Sequence, residues 1–169
     1  MTAVCHFRKV LGCRPDVPSM AGVAVRPMAV PEDIARWLAL RERAIAGLEP
    51  APRPWLHADY EAEMFDTPWW QAERNWLAMA DVAQDRLIGA VTLAVRAGAT
   101  GSTAVVHWLL VDPAWRRRGV GRLLMSHLER AAWDAGWREV ELETHAGWTA
   151  AVAFYQSMGY APVRALSPR

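Results

Sequence analysis

Lysine and cysteine are nearly missing from this chain: Lys9 is the only lysine, and Cys5 and Cys13 are the only cysteines among 169 residues. Two cysteines near one end, with only His6 close by and no second pair at metal-ligand spacing, argue against a disulfide scaffold and against a zinc site. No metal is expected. Long apolar runs are missing too. None approaches the roughly 18–20 residues of a membrane span, and Met1 to Leu11 lacks the apolar centre of a signal peptide, so a soluble, cytoplasmic protein with no membrane partner is expected. Excess charge of one sign is also absent. With 19 basic and 18 acidic side chains the formal net charge is +1, which argues against a nucleic-acid binder. Arginine in place of lysine, with abundant alanine, reads as a bias of the source genome.

What is present is a hydrophobic fraction of 53%, enough for one domain with a core. Residues 1–22 show no sustained periodicity and contain Pro15 and Pro18. They are expected to be an N-terminal arm, disordered or left from upstream translation, with Met20 as an alternative start; residues 23–166 are expected to be a single domain. Val23 to Pro27 alternates like a strand. Pro31-Glu32-Asp33 places a proline and two acids where a helix running to about Ala46 begins. Short helices and loops are expected from Glu49 to Asn75, where four prolines interrupt the pattern. Two strands follow, Trp76 to Asp81 and Arg86 to Val95, around a turn at Gln84-Asp85, with another turn at Gly98 to Ser102.

Ala104 to Val111 is almost continuously apolar, as a central strand covered on both faces must be, and Asp112-Pro113 stops it. Val120, Leu123, Leu124, His127, Leu128, Ala131, Ala132 and Ala135 then form one stripe of an amphipathic helix ended by Gly136. In Glu139 to Thr144, Val140, Leu142 and Thr144 share one strand face and the glutamates take the other. A last helix, Thr149 to Met158, carries Ala151, Phe154, Tyr155 and Met158 on one stripe and stops at Gly159. The order strand, helix, strand, helix implies an α/β core.

Between the central strand and the long helix lies Arg116-Arg117-Arg118-Gly119-Val120-Gly121. Amide N–H groups at a helix start carry partial positive charge, glycines let a pyrophosphate approach the backbone, and Arg116, Arg117, Arg118 and Arg122 add full charges. A Walker A loop would need a lysine and a longer glycine spacing, and a dinucleotide fingerprint a third glycine. Neither is present. Taken alone, Arg-Gly pairs in a loop favour an ordinary basic helix start.

The strand, its V-D-P end, the R-x-x-G-x-G loop, the helix, and Ala151-Val-Ala-Phe-Tyr-Gln-Ser-Met-Gly-Tyr160 together resemble the GNAT superfamily of N-acetyltransferases, from about Ala104 to Pro162. The resemblance implies an α/β GNAT fold: a mixed, mostly antiparallel sheet, splayed between its fourth and fifth strands and flanked by helices. It implies acetyl-CoA as co-substrate. The pyrophosphate would sit on Arg116, Arg117, Arg118, Gly119, Val120, Gly121 and Arg122, and the pantetheine arm would pair with Leu109, Leu110 and Val111, opposite Glu139 to His145. Many family members carry asparagine six residues before the phenylalanine of F-Y; here that position is Trp148, which is expected to pack against the arm or line the acceptor slot.

The resemblance also implies N-acetylation of a primary amine, by direct attack with a base and an acid. Tyr155 matches the family's F-Y tyrosine and is the expected acid, although its spacing fits an aromatic of the apolar stripe equally well. Two residues compete as base. His107, nine residues before Arg116, matches a histidine of arylalkylamine N-acetyltransferases, and a neutral imidazole titrates in a useful range. Glu143, twelve residues before Tyr155, matches a glutamate of ribosomal-protein-alanine acetyltransferases. Each has a plain structural alternative, a buried histidine or a solvated glutamate. His127 and His145 lack motif support. The acceptor is expected to be a small amine, with a protein N-terminus or lysine as the variant and a non-catalytic acyl-CoA sensor as the other class. Trp55, His57, Tyr60, Trp69 and Trp70, interspersed with acids, would suit an aromatic or cationic amine or simply fill a core. Monomer and homodimer are both open.

Overall fold

The computed structural model describes residues 4–80, 85–98 and 101–163. Its strands are β1 (Val4–Val10), β2 (Val23–Pro27), β3 (Asn75–Ala80), β4 (Arg86–Gly98), β5 (Gly101–Val111), β6 (Glu139–His145) and β7 (Ala161–Pro162). The helices are α1 (Ile34–Ile45), α2 (His57–Tyr60), α3 (Val120–Asp134) and α4 (Thr149–Ser157). Among the described residues the strands form one seven-stranded sheet in the order β2-β3-β4-β5-β6-β1-β7. Only β5 with β6 is a parallel pair; the others are antiparallel. No helix among these residues is long and apolar enough to cross a membrane.

Alternation across the sheet sorts the core into two layers. Trp76, Ala78 and Ala80 of β3 enter the layer shared with Leu124, Leu128 and Ala132 of α3. Leu77 and Met79 face the other way, into the layer with Trp37 and Leu40 of α1 and Tyr60 of α2. Both faces of β3 are therefore buried, and its sequence is apolar from Trp76 to Ala80. Leu40, Leu124 and Leu128 are fully covered, and burying each contributes about 1.5–3 kcal/mol. The helix read from the stripe beginning at Val120 is α3, and β2 and β6 fall where the alternation puts them.

The N-terminal segment corrects an expectation. Val4–Val10, read from the sequence as part of an arm, is a strand inserted between β6 and β7. Its burial alternates, but the inward side chains are Cys5, Phe7 and Lys9 while valines stand at both exposed ends, so the residue types do not spell out the period of two. The strand is specified instead by the open edge of β6, against which every residue from Val4 to Val10 finds a partner. Pro31-Glu32-Asp33 precede α1 rather than forming its first turn, and the buried Asp33 carboxylate accepts from Arg26 at 2.6 and 2.8 Å and from the Ala29 N–H at 2.7 Å. The strands β4 and β5 run on to Gly98 and back from Gly101. The expected turns lie partly outside the described residues, which omit 81–84 and 99–100.

Candidate active site

A slot opens where β5 and β6 part. The two strands pair only at Ala104↔Val140 and Val105↔Glu141, after which β5 continues to Val111 and β6 to His145. The facing backbone edges are left without each other, and a cleft of about 920 Å³ occupies the gap.

At one end of the cleft lies the arginine-glycine loop. Gly119 adopts φ 94°, a left-handed conformation that a side chain disfavours, and as the N-cap of α3 it offers no side chain to the first helical N–H groups. Those amides face an anion-ready end. The arginines divide their work. Arg116 donates to the carbonyls of Ala44 (2.5 Å) and Val111 (3.4 Å), so it ties the end of α1 to the loop while still lining the cleft. Arg122 lines the cleft and donates to Ser157 Oγ at 2.9 Å. Arg118 stacks on Trp115, 5.2 Å from its ring centre, and neither it nor the core residue Val120 lines the cleft. Arg117, exposed at φ 60°, lines it.

Gly121 is constrained by packing. A Cβ there would lie 3.2 and 3.3 Å from the Phe154 ring, so glycine lets α4 approach the start of α3. In an open helix Gly→Ala stabilises by about 0.5–1 kcal/mol, but overpacking costs about 1–3 kcal/mol, and with the Phe154 ring set against Tyr155 at 5.4 Å the second is expected to outweigh the first. Gly121→Ala is therefore expected to lower the melting temperature and weaken CoA binding, as measured by thermal denaturation and calorimetry. Equal or higher stability would show that Phe154 moves aside freely.

The residues expected to take part in catalysis line the same cleft. Leu109, Leu110 and Val111 form its β5 wall, and His107, Glu143 and Tyr155 all line it, as does Trp148. Neither His127 nor His145 does. His107 sits beside a register shift where β4 meets β5, and the next residue, Trp108, has φ 48°. This left-handed bulge is held by packing that the sequence did not reveal. Arg41, only 1% exposed, lies between the rings of Trp55 and Trp108 at 4.5 and 4.6 Å, and burial lowers its pKa. His107 makes edge contacts with Trp69 (5.3 Å) and Trp108 (6.1 Å), and its buried Nε2 has no partner among the described residues. Burial pulls its pKa down to about 4. Tyr155 is 8% exposed, and burial pushes its pKa well above the usual phenol value.

Glu143 is half-exposed, 3.0 Å from Arg96 and 3.4 Å from His6. Glu49 lines the cleft with it. Trp148 spends its indole N–H on the Pro50 carbonyl at 3.1 Å, joining the β6–α4 connection to the chain after α1.

Splayed strands, an unpaired strand edge and a glycine-capped helix start among arginines define a class of α/β protein with an open cleft along β5. A sequence model of the acetyltransferase (GNAT) family matches residues 37–160. The mycothiol acetyltransferase of Nocardia farcinica is 30% identical over 155 residues, which cover 88% of this chain and 49% of that protein. The chain thus spans about half the length of the curated relatives it matches. Its fold is similar to a GCN5-related N-acetyltransferase from Sphaerobacter thermophilus (TM-score 0.77, 20% identity, 95% of this chain and 48% of that one). It is similar also to aminoglycoside N-acetyltransferase AAC(6')-Iy in complex with CoA (TM-score 0.66, 21% identity, 90% and 97%). The chain belongs to the GNAT family, and the splayed sheet expected of that family is present between β5 and β6.

Proposed function

We propose that this protein transfers an acetyl group from acetyl-CoA to the primary amine of a small molecule, with Glu143 as proton acceptor and Tyr155 as proton donor. The observation that carries this reading is the cleft itself, which joins an arginine-rich helix start, an open strand edge and a group of titratable side chains. The free amides of α3 and the Arg117 guanidinium suit a pyrophosphate, and the edge of β5 from Leu109 to Val111 suits the amide-bearing pantetheine arm. Bound acetyl-CoA supplies an activated acyl carbon and a thiolate leaving group.

Glu143 takes the proton of the ammonium, and Tyr155 gives its proton to sulfur as the carbon–sulfur bond breaks and the carbon–nitrogen bond forms. The choice of Glu143 over His107 rests on access. Burial pulls the His107 pKa down to about 4, so the imidazole stays neutral at pH 7, and its Nε2 is shut away with no partner among the described residues, whereas Glu143 is half-exposed beside Arg96. Glu143 becomes neutral on accepting the proton, and its exposure lets solvent carry that proton away. His107 serves as a neutral hydrogen-bonding group that orients the amine. The carboxylates of Glu49 and Glu143 favour a cationic acceptor, and such chemistry belongs in the cytoplasm, where acetyl-CoA is made and used.

Thiol release from acetyl-CoA, measured over an amine panel headed by the acceptors for which the relatives are named, tests the reaction. Glu143→Gln is expected to lower kcat/KM by about 10²–10⁴-fold with CoA affinity unchanged by calorimetry. A full rate in Glu143→Gln, with loss in His107→Ala, would move the base to His107. Tight CoA binding with no turnover on any amine would instead indicate a sensor.

A further inference from the structure

The match to the family spans residues 37–160 and so leaves out β1, yet β1 touches Glu143, a residue that lines the cleft. Its register sets His6 opposite Glu143, and His6 Nδ1 lies 3.4 Å from Glu143 Oε1. Arg96, which comes from β4, donates from Nη2 to that same Oε1 at 3.0 Å, and its Nη1 lies 3.5 Å from Glu141 Oε2. Both contacts to Glu143 fall on one oxygen. Among the described residues no hydrogen bond falls on Oε2.

A second space of about 260 Å³, lined by His6, Phe7, Arg96, Glu141 and Glu143, adjoins this carboxylate. Arg96 and Glu143 line the main cleft as well, so the two spaces meet at the residue read above as the base. A carboxylate held on one oxygen by the Arg96 guanidinium of β4, with the His6 imidazole of β1 beside that same oxygen, has a restricted orientation, and the lone pairs of its other oxygen stay available for a proton.

We propose that β1 is a working part of the acceptor side of the active site: His6 is a positioning residue that, together with Arg96, holds Glu143 through Oε1 and presents Oε2 to the amine. This inference rests on the reading of Glu143 as proton acceptor. The plainer explanation is a surface ion pair. The partners are 55% and 45% exposed, and such pairs add little stability and are screened by salt. The two explanations therefore separate by measurement. Removing a surface pair changes neither rate nor melting temperature, whereas removing a positioning contact changes kcat alone.

The full-length protein is compared with His6→Ala, His6→Gln, Glu143→Gln and the double variant His6→Ala/Glu143→Gln, by steady-state kinetics in both substrates and by thermal denaturation. His6→Ala is expected to lower kcat by about tenfold, leaving the KM for acetyl-CoA and the melting temperature unchanged. His6→Gln, which keeps an N–H donor, is expected to recover most of that loss. In the Glu143→Gln background, His6→Ala is expected to add nothing. Wild-type kcat in His6→Ala, or an equal loss in both backgrounds, overturns the inference while leaving Glu143 as the base. Full activity in Glu143→Gln is a different result: it overturns the assignment of the base, and the role of His6 falls with it.

Discussion

Replacing Tyr155 with phenylalanine is expected to reduce kcat by about 10²–10⁴-fold and to leave CoA affinity intact. The substitution keeps the ring that makes edge contacts with Phe154 at 5.4 Å and Tyr160 at 5.9 Å, so the packing of α4 survives and only the O–H is lost. Burial raises the Tyr155 pKa. The sign follows directly: a raised pKa keeps the phenol protonated to higher pH, so the donor is present throughout the neutral range and below the ordinary phenol value of about 10. Alkaline loss of activity below that pH must then come from another group. Steady-state thiol release for rate and calorimetry for affinity check the expectation. Wild-type kcat in Tyr155→Phe would return Tyr155 to the role of a packed aromatic.

The other large effect is on stability. Lys9→Met is expected to cost about 3 kcal/mol, because it leaves a buried carboxylate without its cation. Glu129 is 3% exposed, and its two oxygens lie 2.9 and 2.8 Å from Lys9 Nζ. The buried Tyr160 hydroxyl donates to it at 3.1 Å, and that bond cannot replace a full charge. For a domain of this size the loss corresponds to a fall of roughly 6–12 °C in melting temperature. Thermal and urea denaturation measure it, and Lys9→Met with Glu129→Gln in the same chain should recover a large part. If Lys9→Met were no worse than an ordinary surface substitution, the pair would not be what docks β1 on α3.

The glycine loop, the helix stripe from Val120 and the Phe154-Tyr155 segment were legible because each is a local pattern, read within a few residues. His107, Glu143 and Tyr155 stand far apart in sequence, yet one cleft gathers all three. The predicted cofactor loop was read as a uniform cradle. Its members differ in the fold: Arg116 and Arg122 are partly engaged by the protein itself, and Arg118 and Val120 turn away. Trp148 could be singled out by its departure from the family pattern, but its bond to Pro50 crosses 98 positions.

The sequence by itself determined the α/β class, the positions of β2, α3 and β6, and the chemistry gathered at the loop, since hydrophobic period and glycine spacing are properties of neighbours along the chain. Tertiary structure decided the rest. Lys9, the only lysine, is the partner of a glutamate 120 residues away; Arg41, which no motif marked, lies between two indoles. The strand β1 exists because β6 offers it an open edge. Ion pairs, stacked cations and edge pairing depend on which groups share a place after folding, and no local period encodes them.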